Sequence, residues 1–240
     1  MLQEILSGNF DPIGLVVSLI SSLVVVFLTL PIHEWAHGFA ATKLGDPTPR
    51  YQGRLTLNPF PHIDYIGALC IILFGVGWAM PVQINPRNFK NPKIGMAITA
   101  FAGPAMNIFV ATVAMFAAAL TAFISGWSAS QMLEILSLHL YYGEWNIPVI
   151  LILFFYNVAQ INIFLAVFNM IPIPPFDGSR ILFAILPDKY YWRVMEYERI
   201  LMFVVLIIIA TDILDAPLEF ISGAIFSLIN TVASLPFIFF

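Results

Sequence analysis

Between Leu15 and Leu30 the chain carries no charge, and its only polar side chains are the hydroxyls of Ser18, Ser21, Ser22 and Thr29. As a helix this run approaches the roughly 20 apolar residues that cross a bilayer. In water it would need a covering core on nearly every side. Similar runs follow at 94–124, 148–168, 194–210 and 217–240. The whole chain is 60% hydrophobic and 10% charged, against roughly 25% charged in a soluble domain. So few charges cannot clothe a water-facing surface of this size, and an integral, multi-pass membrane protein is expected.

The same composition excludes other classes. A net charge of −4 with no basic run argues against nucleic acid as a partner. Cys70 is the only cysteine, which removes disulfide, thiolate-cluster and CxxC chemistry and leaves it as small apolar filler. Met1 to Pro12 holds Glu4 and Asp11 but no Lys or Arg, unlike the basic start of a cleaved signal peptide. The first run is therefore read as a retained span.

The helical pattern of that run continues to about Ala41, with Pro31 expected to kink it by removing a backbone hydrogen bond. On this helix stands His33-Glu34-Trp35-Ala36-His37. Residues four apart lie one above the other, so both imidazoles can reach one Zn²⁺. Glu34 lies beside them, placed to take a proton from water that the metal acidifies. Four His and seven Glu in 240 residues make a chance match rare. Ionisable groups inside a membrane helix are costly and mark functional sites. A catalytic zinc needs a third protein ligand, and His62, His139, Asp64 and Asp177 are candidates. Asp177 follows a rigid Pro172-Ile173-Pro174-Pro175 turn and precedes Gly178, a placement that can fix a carboxylate at a span's end, while His62 and Asp64 lie on the same side and stay open.

Charge gives the expected orientation. Segments 42–62 and 83–93 carry three Lys or Arg each, while 125–146 carries none. The first two then face the cytoplasm and the third faces out. The glycine-dotted run 66–82 lies between two same-side segments, so it is expected to re-enter rather than cross. His33, His37, Asn107 and Asp177 then reach one face, and His139 the other. The expected fold is an all-α polytopic membrane protein with about five transmembrane helices, a re-entrant segment and short strands near the active-site face. Tyr51 to Leu57 is the candidate strand. One domain spans 1–240, with a catalytic core at about 15–186 and closing helices at about 194–240. No polar segment is long enough for a separate aqueous domain.

Three elements in this order strongly resemble the site-2 protease family of intramembrane zinc metalloproteases (peptidase family M50), in its compact prokaryotic form. They are His33-Glu34-Trp35-Ala36-His37, Gly103-Pro104-Ala105-Met106-Asn107, and Asn169-Met170-Ile171-Pro172-Ile173-Pro174-Pro175-Phe176-Asp177-Gly178. The resemblance covers about Leu15 to Leu186. It implies one Zn²⁺ per chain held by His33, His37 and Asp177, with Glu34 as the catalytic carboxylate. Asn107, Asn169, Gly103, Pro104 and Gly178 become substrate-binding or ligand-supporting positions.

Arg54-Leu55-Thr56-Leu57-Asn58-Pro59, followed by His62-Ile63-Asp64, is also similar to the compact members, with His62 and Asp64 read as entrance or structural residues. There is no room for the PDZ or CBS domains many relatives carry. No apolar span precedes the HExxH helix, so gating by such a helix is not carried over.

The implied partners are the lipid bilayer and a transmembrane protein or peptide, such as a membrane-bound regulator, an anti-sigma factor or a remnant signal peptide. Its backbone would be unwound by adding to the candidate strand. The implied location is a prokaryotic plasma membrane, with the site nearer the cytoplasmic face. A zinc transporter would line a path through the bilayer with acidic and histidine residues, and here they gather near one face. An inactive scaffold would characteristically lack Glu34.

Overall fold

The computed structural model describes residues 11–74, 77–128, 145–187 and 214–237, with isolated positions 131, 132, 134, 197 and 201 between them. The first helix, α1 (Pro12–Lys43), runs 32 residues. Asp11 caps it by accepting the Gly14 N–H, and Pro12 occupies the first turn, where no N–H is needed. Pro31 does not break this helix. Just before it, Val25–Thr29 forms one π-helical turn in which the Leu30 N–H bonds the Val25 carbonyl. Pro31 has no N–H for the carbonyl four residues back, and the wider turn absorbs that loss.

After α1 the chain turns at Gly45 (φ +110°), makes one helical turn at Thr48–Tyr51, and turns again at Gly53 (φ +68°). Both values lie in the left-handed region that glycine enters without steric cost. The second helix, α2 (Tyr65–Phe74), has ten residues. At 1.5 Å per residue it is about 15 Å long, half of a hydrocarbon core of roughly 30 Å. The chain then comes back on itself, and the Met80 N–H donates to the His62 carbonyl at 2.8 Å. Gly67 and Gly77 let the two limbs touch, since a Cβ on either would overlap backbone of the other. The excursion leaves and returns at one level.

Among the described residues three further long helices join the bundle: α3 (Pro92–Ile124), α4 (Ile147–Asn169) and α6 (Asp215–Ser234, prolonged to Phe237 by a 3₁₀ turn). Asn91 and Asn146 cap α3 and α4 through their side chains. A short helix, α5 (Asp177–Ile185), follows the proline-rich turn after α4. The packing is that of a membrane protein, with small residues inside and large ones out. On α3, Ala100, Gly103, Ala111, Ala114, Ala118 and Ala122 are buried against neighbouring helices, while Phe101, Phe109, Val113 and Phe116 are exposed. On α1, Ser21, Ser22 and Thr29 face inward while Val16, Ile20, Phe27 and Leu28 face outward.

One expectation is corrected: among the described residues there is no strand. Four helices there are long and apolar enough to cross a membrane. The fifth expected run, 194–210, apart from Tyr197 and Leu201, lies outside the described residues, as does His139. The strand expected at Tyr51–Leu57 fails because its backbone is engaged locally. The N–H groups of Tyr51, Gln52, Gly53 and Arg54 donate to the carbonyls of Pro47, Thr48, Arg50 and Pro49. Thr56 gives its carbonyl to the His62 ring. The backbone from Tyr51 to Arg54 is thus in turns, and the stretch forms no strand.

Candidate active site

The second half of α1 is enclosed by protein, with His33, Glu34 and His37 all buried. The i, i+4 spacing brings the two Nε2 atoms to 3.0 Å. Asp177 Oδ2 closes a triangle with them, 3.2 Å from His37 Nε2 and 3.5 Å from His33 Nε2. Three ligands at about 2.0–2.1 Å from a tetrahedral zinc would stand roughly 3.3 Å apart. Asp177 is the first residue of α5, where the helix dipole favours a carboxylate. Gly178 puts it there, because a Cβ at 178 would overlap the Met170 and Ile171 backbone at the end of α4.

The outer ring nitrogens fix which way the lone pairs point. His37 Nδ1 lies 2.7 Å from the Thr99 carbonyl. A carbonyl only accepts, so the proton sits on Nδ1 and the Nε2 lone pair faces the triangle. His33 Nδ1 lies 3.2 Å from Asn107 Oδ1 and takes the same tautomer by donating to it. Two lone pairs and a carboxylate oxygen thus converge on one point, a donor set that repels itself unless a cation joins it. The residues fit a divalent metal with a taste for imidazole and carboxylate. Gly103 keeps the space open, since a Cβ there would overlap both rings. One residue on, Pro104 leaves the Ala100 carbonyl without its helical donor and presses on the turn that presents Thr99.

Glu34 stands beside the triangle. Its carboxylate and the imidazole nitrogens lie within 4.8 Å of one another. Its Oε2 accepts the Val82 N–H at 2.8 Å, which ties it to the limb returning from α2. A carboxylate held next to a metal-binding triangle can receive and return a proton.

The structure joins His33, Glu34, His37, Asp177, Gly103 and Asn107 in one centre, with Pro104 and Gly178 shaping its backbone. Asn169 is half-buried and donates through Nδ2 to Leu165 on its own helix. His62 is fully buried, with its Nε2 2.9 Å from the Thr56 carbonyl. Asp64 caps α2 by accepting the N–H groups of Ile66 and Gly67. Neither His62 nor Asp64 bonds to the triangle. Sequence reasoning missed Thr99 and Val82, which act through backbone atoms that no side-chain pattern reports. The only available signals were the neighbouring prolines, Pro104 and Pro81.

The comparisons with known proteins agree with this geometry. The profile described as Peptidase family M50 matches residues 21–211. A Bacillus subtilis (strain 168) protein named "Putative zinc metalloprotease YwhC" is 33% identical over 206 residues, covering 85% of each chain. No solved structure matches the chain. With the profile spanning most of its length and the HExxH residues gathered with Asp177 in a membrane helix bundle, the chain belongs to peptidase family M50.

Proposed function

We propose that the chain is a zinc-dependent endopeptidase that cleaves membrane proteins within or beside their transmembrane segments, holding one Zn²⁺ on His33, His37 and Asp177. The triangle of 3.0, 3.2 and 3.5 Å between two imidazole nitrogens and one carboxylate oxygen carries this reading. Zinc held there supplies Lewis acidity, which acidifies water and polarises a peptide carbonyl. Glu34 takes the proton from the attacking water and passes it to the leaving amine. Asn107 and the Thr99 carbonyl keep the two imidazoles in the metal-binding tautomer. Asn169, at the end of α4, offers its amide oxygen to the substrate backbone. Residues 1–240 act as one domain. The three Lys or Arg in each of segments 42–62 and 83–93 support a site nearer the cytoplasmic face of a prokaryotic plasma membrane.

The test is cleavage of a single-span membrane substrate by the purified protein in detergent, with metal analysis. Wild type should carry about one zinc per chain and lose activity to a chelator. Glu34→Gln should keep the zinc and lose turnover by about 10²-fold or more. Full activity in Glu34→Gln would remove Glu34 from the chemistry, and chelator-resistant activity would remove the metal.

A further inference from the structure

The motif Arg54-Leu55-Thr56-Leu57-Asn58-Pro59 has no role in the centre described above, and Arg54 does not touch it. The Arg54 guanidinium donates to two carbonyls, that of Pro61 on the limb entering α2 and that of Pro81 on the limb leaving it, the latter at 3.2 Å. Pro81 and Val82 share one peptide unit. Its oxygen accepts from Arg54, and its N–H, on Val82, donates to Glu34 Oε2 at 2.8 Å. One peptide group therefore stands between a guanidinium and the Glu34 carboxylate.

That order of charges matters. A peptide dipole of about 3.5 D lies with its oxygen toward the cation and its N–H toward the anion, the favourable sense at both ends. A cation on the oxygen polarises the group and strengthens the bond its N–H makes, and chains of hydrogen bonds reinforce one another by roughly 10–30% per bond in a low-dielectric setting. Val82 and Glu34 are both buried, so water does not screen this bond, whereas the Arg54–Pro81 bond at the other end of the peptide is exposed. The plane turns about ψ of Pro81 and φ of Val82, and its two hydrogen bonds, to Arg54 on one side and Glu34 on the other, are what hold it.

We infer that Arg54 is a positioning residue for Glu34, acting through the Pro81–Val82 peptide to hold the carboxylate in its working orientation. The inference rests on the reading of Glu34 as the proton carrier. Its consequence is specific: weakening the relay lowers turnover, and leaves metal binding and substrate affinity as they are.

The experiment compares Arg54→Met, Arg54→Lys and Gln83→Ala with Glu34→Gln as the reference for the underlying reading. Gln83 accepts from Gln52 on the same returning limb, at 3.0 Å, but does not touch the peptide. Arg54→Met should lose about two- to fivefold in kcat, the scale of a roughly 10–30% weakening of one charge-assisted hydrogen bond, with KM, zinc content and melting temperature near wild type. Arg54→Lys, which keeps a charged donor for the Pro81 carbonyl, should recover part of that loss, and Gln83→Ala should match wild type. Wild-type kcat in both Arg54 variants overturns the inference, as does an equal loss in Gln83→Ala. Loss of zinc in both Arg54 variants also overturns it, because Arg54 would then serve folding alone. If Glu34→Gln is itself active, the reading of Glu34 fails instead, whatever Arg54 does.

Discussion

The two halves of α1 belong to one continuous run of helical turns and have opposite surroundings. From Ile13 to Val24 the helix lies at the surface, with Ile13, Val16, Leu19, Ile20 and Leu23 exposed and few residues buried. From Leu30 to Lys43 the majority are buried, the two histidines and Glu34 among them. The π-helical turn Val25–Thr29 divides the halves. An anchor tolerates any apolar side chain of suitable size, because lipid fits itself to what it meets. A centre enclosed by α3, α5 and the returning limb tolerates almost nothing, because its neighbours are fixed backbone and ring atoms. The difference between the halves is therefore one of tolerance, and substitutions can measure it.

The largest effect is expected at the enclosed end. Gly103→Val puts a branched side chain where even a Cβ overlaps the His33 and His37 rings. Metal affinity should fall by about 100-fold or more, read by competition with a chelator of known strength. Unchanged affinity would mean that α3 can move away from α1. Next comes Asn107→Leu, which removes the acceptor of the His33 Nδ1 proton. Losing such a supporting bond costs about 10–100-fold in metal affinity, and Asn107→Asp, which still accepts, should lose less.

A smaller effect is expected from pH at His62, beside the centre rather than in it. Burial, helped by the Arg54 charge, holds its pKa below the ordinary 6.5, and the Thr56 hydrogen bond and Glu34 offset only part of this. The folded chain thus favours neutral His62. Its contribution to stability is complete above pH 6.5, the unfolded value, and is lost as pH falls toward the lower folded value. Between about pH 7.5 and 5.5 the melting temperature should drop by a few degrees, and His62→Gln should flatten that slope. A wild-type slope in His62→Gln would assign the titration elsewhere. The smallest effect belongs to the anchor. Val16→Leu, on the exposed face, should change stability by less than about 0.5 kcal/mol, and a larger loss would mean that this face is covered.

The sequence made the anchor and the HExxH face of α1 legible, because apolar runs and i, i+4 pairs are periodic signals carried by side chains. Asp177 was one of four candidates by residue type and spacing, and only the family resemblance singled it out. The Thr99 carbonyl and the Val82 N–H could not be read at all, since every residue but proline has both groups and the fold alone decides which of them point inward. The Tyr51–Leu57 stretch misled for a related reason. Its short alternation suggested a strand, while Pro47, Pro49 and Gly53 were already directing the backbone into turns. Pro31 was legible as a disturbance, but the π-helical turn that precedes it was not, since its form depends on what packs around it.

The placement of Asp177 at the head of α5 also sets an order of events. His33 and His37 emerge early in synthesis, and their partner only after α3, α4 and the turn at Pro172–Pro175 have been made. A nascent chain that has inserted α1 alone holds two ligands of three and an untethered Glu34, because Val82 too is still to come. The triangle and the Glu34 tether are therefore complete only when the later helices and the returning limb have packed around α1.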